Sequence, residues 1–215
     1  MRGIPVFRGM QVVVLTSEEL KQELMKQGID SDARIFFVND ISEFSLHPGA
    51  DAYLDLLFTP APERILFLQS VLPATVIINS VTDTLSETHA SFIRINGWNS
   101  FLESVTVEAA VTEEKRMDAE KLLAVFGKQC TWLDDMVGFV TPRVVSMIIN
   151  EACLALEEGV STREEIDTAM KLGTNYPFGP FEWMEKIGRD KIYALLIKLS
   201  RDQPRYQPAA FLSGK

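Results

Sequence analysis

Hydrophobic and polar positions change period once along the chain, and the change divides it. Gln11 to Leu15 (QVVVL) is a short, Val-rich apolar run, as a strand buried on both faces requires. Ser17 then opens an amphipathic stretch, SEELKQELMKQG, with Glu18 and Glu19 in its first turn and Gly28 closing it, which predicts a helix. Ala33 to Val38 reads as a second strand ending at Asn39-Asp40. Ala50 to Phe58 reads as a third and Thr75 to Asn79 as a fourth, with a helix over Glu63 to Val71 between them. Ser104 to Val111 alternates like a further strand, Glu113 to Phe126 has helical spacing, and Thr131 to Leu133 forms a last short strand. Strands alternating with helices predict a parallel sheet covered on both faces.

After Gly138 the spacing is helical throughout. Val144 to Glu158 is apolar on most sides, which suits a helix buried against several neighbours or a partner subunit. Ser161-Thr-Arg-Glu164 reads as a capping box, opening a helix with Ile166, Ala169, Met170 and Leu172 on one face and Gly173 as its stop. Pro180, after Gly179, is placed for the first turn of another helix. Asp190 to Ser200 turns Ile192, Leu195, Leu196 and Leu199 inward. Short helices of this kind do not stand alone. The expected fold class is α/β plus all-α, with domains over 1–136 and 137–215.

Composition narrows the partners. The 215 residues are 47% hydrophobic, enough for one large core or two small ones. A net charge of −9 repels phosphate backbones and anionic lipid, so neither nucleic acid nor membrane is expected as a partner. No basic cluster offsets that charge locally for NAD or CoA. Cys130 and Cys153 lack CxxC or metal-ligand spacing, so no disulfide framework and no metal site is expected. The opening residues, MRGIPVFRGMQVVVL, hold no apolar run long enough for a signal peptide or a span, and a cytoplasmic location is expected.

Several motifs then act as a set: Asn150-Glu151-Ala152, Glu158-Gly159, Asp167 to Gly173 (DTAMKLG), Tyr176 to Glu182 (YPFGPFE) and Arg205-Tyr206-Gln207-Pro208. Together they resemble the C-terminal helical domain of the NAD-dependent 3-hydroxyacyl-CoA dehydrogenases. The resemblance extends more weakly back through Asp135 to Gly138, Val107-Glu108 and Ala50-Asp51 to the strand at Gln11. It implies a degenerate Rossmann-like domain, NAD as cofactor, an acyl-CoA ligand, and a homodimer through the C-terminal helices. In that family a histidine takes the proton of the 3-hydroxyl, a glutamate holds the histidine, and a serine and an asparagine contact substrate oxygens.

This chain departs from the pattern at several places. A Rossmann unit needs G-x-G-x-x-G between its first strand and helix so that backbone N–H groups approach a pyrophosphate. Here the strand runs into Thr16-Ser17-Glu18-Glu19. Asp40 stands like the acid that binds the adenine ribose, or is a turn former. The interval from Asp40 to Ala50 is too short for the family's helical excursion there. Where the family reads H-F-F-N-P, this chain reads Asn96-Gly97-Trp98-Asn99-Ser100, with Val107-Glu108 at the matching spacing. The histidine position is therefore Asn96, and an amide accepts no proton at neutral pH. Glu108 keeps the family residue; its other reading is a strand carboxylate satisfied by a nearby amide such as Asn96. Ser80 or Thr82 is the counterpart of the serine, or either is an ordinary turn residue. Pro142 replaces the substrate-contacting asparagine and equally fits a first helical turn. Of the two histidines, His47 reads as a loop residue and His89 as an exposed helix residue.

The function expected is a 3-hydroxyacyl-CoA dehydrogenase-like protein of fatty-acid and acyl-CoA metabolism, catalytically impaired. One alternative is an active oxidoreductase completed by a partner chain. Another is a non-enzymatic, dimeric binding or regulatory module.

Overall fold

The computed structural model describes residues 9–214; residues 1–8, most of the stretch read above for a leader, lie outside the described residues. Seven strands make one sheet: β1 (Gln11–Leu15), β2 (Arg34–Val38), β3 (Ala52–Asp55), β4 (Thr75–Asn79), β5 (Ile93–Ile95), β6 (Thr106–Ala110) and β7 (Gln129–Trp132). Their order is β2-β1-β3-β4-β5-β6-β7. The order reverses between β1 and β3, because the chain goes outward to β2 on one side of β1 and continues on the other. All pairs are parallel except β5 with β6, which are antiparallel.

Strand alternation assigns the core. Val12 and Val14 of β1, with Ala52 and Leu54 of β3, face one layer that includes α1 (Glu18–Leu24) and α3 (Arg116–Ala124). Val13 and Leu15, with Tyr53, face the other, where Leu68 of α2 (Pro62–Ser70) and Phe44 pack. Both layers are buried, so β1 and β3 read as continuous apolar runs rather than alternating ones.

Elsewhere the expected boundaries shift for local reasons. The third strand is shorter than Ala50–Phe58: after Asp55 its carboxylate accepts from the N–H of Leu57 at 3.1 Å, and the chain turns there. The helix from Ser17 ends at Leu24, before Gly28, which lies in a following turn at φ +93°. Glu113–Lys115 forms a 3-10 turn ahead of α3 instead of continuous helix. Elements without a sequence signal include the 3-10 helices at Ile41–Leu46 and Ala210–Ser213, and β5, whose middle residue is the wholly buried Arg94. No helix forms around His89. It sits half-buried in a turn, with Nδ1 accepting from the N–H of Ser91 at 3.2 Å and the ring 5.0 Å from that of Phe92.

The remaining helices are α4 (Thr141–Glu157), α5 (Arg163–Thr174), α6 (Pro180–Ile187) and α7 (Arg189–Ser200). The capping box of α5 is one residue later than Ser161-Glu164: Thr162 caps, and Glu165 reaches back to it. Its apolar stripe is narrower than expected, since Ala169 is exposed and Leu172 is 83% exposed. The helix ends at Asn175 in the left-handed region, beyond Gly173. In α6 Pro180 occupies the first turn, and Gly179 is buried so closely against Asp167 that a Cβ would stand 2.3 Å from its carboxylate carbon. Asp167 in turn accepts from the N–H of Phe181 at 2.8 Å, satisfying one of the open donors of α6.

The chain divides into two units. The described residues up to Gly97 join Phe101–Asp135 in one, and Trp98–Ser100 join the residues from Met136 onward in the other. Among the described residues no helix is long and apolar enough to cross a membrane.

Candidate functional site

The antiparallel pairing of β5 with β6 brings Asn96 opposite Glu108. The two exchange a backbone bond, Asn96 N–H to Glu108 carbonyl at 2.9 Å, and Asn96 Nδ2 donates to Glu108 Oε2 at 3.1 Å. Asn96 is buried and Glu108 half-buried. The carboxylate thus accepts from an amide donor, and the Asn96 side chain is not itself a base at neutral pH.

Asn79, at the end of β4, organises the same region, although its sequence marks it only as the last residue of a strand. Its Nδ2 donates to the carbonyls of Gly97 (2.9 Å) and Leu56 (3.0 Å), while its Oδ1 accepts from the N–H of Gly97 at 2.9 Å. The clasp requires glycine at 97, where a Cβ would stand 2.8 Å from the Asn79 side chain. Only the crossing of two strand ends makes this visible, because the residues are 18 apart in sequence.

The turn after β4 carries Ser80 and Thr82. Ser80 is buried and its hydroxyl donates to the carbonyl of Asp83 at 2.9 Å, so it closes its own turn. Thr82 is half-buried in that turn. Arg94 fixes the turn from below: Nε donates to the Ser80 carbonyl at 3.0 Å and Nη2 to that of Val81 at 3.2 Å, while Nη1 pairs with Asp135. Burial lowers the Arg94 pKa, opposed by the Asp135 carboxylate. Asp135 also accepts from the N–H of Leu85 at 2.8 Å.

Where the strand order reverses, β1 runs directly into the cap of α1. Ser17 Oγ accepts from the N–H of Leu20 at 3.3 Å, and Glu18 and Glu19 lie exposed in the first turn. Asp40 caps the 3-10 helix at Ile41–Leu46: its Oδ1 accepts from the N–H and the hydroxyl of Ser42 at 2.9 and 2.5 Å. Those bonds hold its carboxyl below the usual range. Among the described residues no group of His, Cys, Asp and Glu is arranged to hold a metal.

In the helical unit, Gly138 (φ +88°) and Phe139 (φ +46°) turn the chain into α4. Pro142, the second residue of α4, is buried and contributes no side-chain donor or acceptor. Arg143 Nε donates to the carbonyl of Val137 at 2.7 Å, and its guanidinium lies 6.0 Å from the centre of the Tyr206 ring. Asn150 is buried and clasps the following turn, donating to the Gln207 carbonyl at 3.0 Å and accepting from the N–H of Ala209 at 2.8 Å. One face of α4 stays open: Val144, Met147 and Ile148 line a groove of about 470 Å³ with Arg143 and Glu151.

The parallel sheet with its single reversal defines a dinucleotide-fold class, and the motifs of the helical unit specify which branch of it. Residues 138–214 match the family "3-hydroxyacyl-CoA dehydrogenase, C-terminal domain". A 3-hydroxyadipyl-CoA dehydrogenase of Escherichia coli is 43% identical over 88 residues, covering 40% of this chain and 18% of its own length. A 3-hydroxybutyryl-CoA dehydrogenase of Bradyrhizobium diazoefficiens is 32% identical over 159 residues, covering 67% of this chain and 54% of its own. The chain therefore spans about half the length, or less, of these relatives. Among solved structures, the (S)-3-hydroxybutyryl-CoA dehydrogenase of Ralstonia eutropha superposes with a TM-score of 0.72 at 18% identity, covering 95% of this chain and 92% of that one. M. tuberculosis FadB2 gives 0.75 at 15% identity, with the same coverage. At such identity the structural likeness speaks to the fold alone. These matches support the 3-hydroxyacyl-CoA dehydrogenase family for this chain, most directly over residues 138–214.

Proposed function

We propose that this protein is a 3-hydroxyacyl-CoA dehydrogenase-like member of acyl-CoA metabolism that does not carry out the hydride-transfer reaction at a useful rate. The observation that carries the reading is the Asn96–Glu108 pair, in which an amide donor fills the place of the proton acceptor. A positioned general base contributes roughly 10²–10⁴-fold to such a reaction. Ser80, closing its own turn, and Pro142, without a polar side-chain atom, support the same reading. Glu108 keeps a structural role as the acceptor for Asn96.

The retained part is the helical unit, and self-association through α4 is part of the proposal. The open face of α4 is apolar around Met147, with Arg143 one turn before it and Glu151 one turn after. Two such helices packed antiparallel about a two-fold axis set apolar against apolar and Arg143 against Glu151, as an isologous interface requires.

The test is turnover: purified protein, NAD and 3-hydroxybutyryl-CoA, followed by NADH absorbance. The expected result is no rate above the protein-free control. Steady oxidation that disappears in Glu108→Gln overturns the proposal and points to a working enzyme with an unusual base.

A further inference from the structure

The family implies NAD, so the crevice at the strand-order reversal can be tested for its fit. Ligands of open parallel sheets bind outside the carboxyl ends of the strands at that point. In this chain the place lies between Leu15 and Asp55, which are register partners at the ends of β1 and β3. Asp55 is fully buried there and is bound by Arg64 in a two-point contact along one guanidinium edge, Nε to Oδ2 at 2.8 Å and Nη2 to Oδ1 at 2.6 Å. Arg64 Nη2 also donates to the carbonyl of Leu57 at 3.2 Å, and Asp55 accepts from the N–H of Leu57. One ion pair thereby ties the first turn of α2 to the end of β3 and to the Leu57 carbonyl that follows it.

Backbone bonds close the neighbouring gaps. The N–H of Leu56 donates to the carbonyl of Leu15 at 2.9 Å, and that of Thr16 to the carbonyl of Val38 at 3.3 Å. The residues that would have to cradle a pyrophosphate are Thr16, Ser17, Glu18 and Glu19. The Ser17 hydroxyl is committed to its helix, the Thr16 hydroxyl donates to the Ser17 carbonyl at 3.0 Å, and two carboxylates replace the flat glycine approach. The acid that would hold a ribose, Asp40, is engaged as a helix cap. The residues present do not fit the dinucleotide.

We infer that the strand-order crevice of this chain has become a structural joint, braced by Asp55 and Arg64, and takes no dinucleotide. The inference deepens the proposed function but rests on different residues. It is tested by binding and not by turnover, so the two stand or fall separately. Isothermal titration of the full chain with NAD and with NADH is the experiment, repeated on Arg64→Gln. The expected result is no saturable binding up to about 1 mM ligand, with a lowered melting temperature for Arg64→Gln and still no binding. A one-to-one isotherm in the unmodified chain overturns the inference; if that binding is lost in Arg64→Gln, the arginine is a phosphate ligand. An unchanged melting temperature in Arg64→Gln refutes the brace. A chain that binds NAD yet leaves 3-hydroxybutyryl-CoA unoxidised overturns this inference and leaves the proposed function in place.

Discussion

Asn79 shows how much one side chain can carry without touching any ligand. Its amide makes bonds to two segments, at Leu56 and on both sides of Gly97, so truncation leaves several backbone groups without their partner. Asn79→Ala is expected to cost about 1–3 kcal/mol in urea unfolding, the usual range for a buried polar group that loses its bond. Gly97→Ala is expected to destabilise as well, because the added carbon meets that side chain at 2.8 Å. Arg94→Met should cost about 3–5 kcal/mol by the same measurement, since it strips a buried arginine from the Ser80 turn and leaves Asp135 without it. At this scale the sequence was informative where residue type alone limits chemistry. An asparagine in place of a base is legible in any context. The Asn79 clasp and the Arg64 brace are not, because each depends on which strand ends become neighbours in space.

Elements divide along similar lines. The Val-rich β1 and the capped helices were legible because their signals are local: an apolar run, a Thr or Ser cap, a proline in a first turn. β5 was not, because a buried arginine at the centre of a three-residue strand inverts the expected pattern. The α5 cap is ambiguous by one residue in the sequence because both Ser161 and Thr162 can donate to Glu165 Oε2, at 2.6 and 3.2 Å. Those bonds depress the Glu165 pKa below its ordinary 4.5, with Ser161 the larger cause. A depressed acid contributes stability that is complete above the unfolded value and is lost as pH falls through the folded one. Thr162→Ala is expected to lower stability at neutral pH, because it removes both the cap to the Glu165 N–H and one donor to the Glu165 carboxylate. The difference from the unmodified chain should shrink below pH 4.5, which unfolding curves at a series of pH values will check.

For the molecule as a whole, the proposed self-association and the net charge of −9 pull in opposite directions. Repulsion between two acidic chains has to be met by the apolar face of α4 and its flanking charges. Light scattering at micromolar concentration is expected to give a dimer, and Met147→Asp a monomer. A dimer insensitive to Met147→Asp would move the interface elsewhere, and a monomeric parent chain would remove it.

Trp98–Ser100 has a different consequence, for how the protein can be made and cut. Those three residues are flanked in sequence by the sheet unit yet group with the helical unit, and Trp98 is buried. The helical unit is therefore discontinuous. During synthesis Trp98 emerges ahead of α4 (Thr141–Glu157) and of every other helix of the unit it groups with. A fragment begun at Met136 would lack it altogether. Gene-truncation experiments that treat the family match at 138–214 as a self-sufficient module will start with a missing tryptophan.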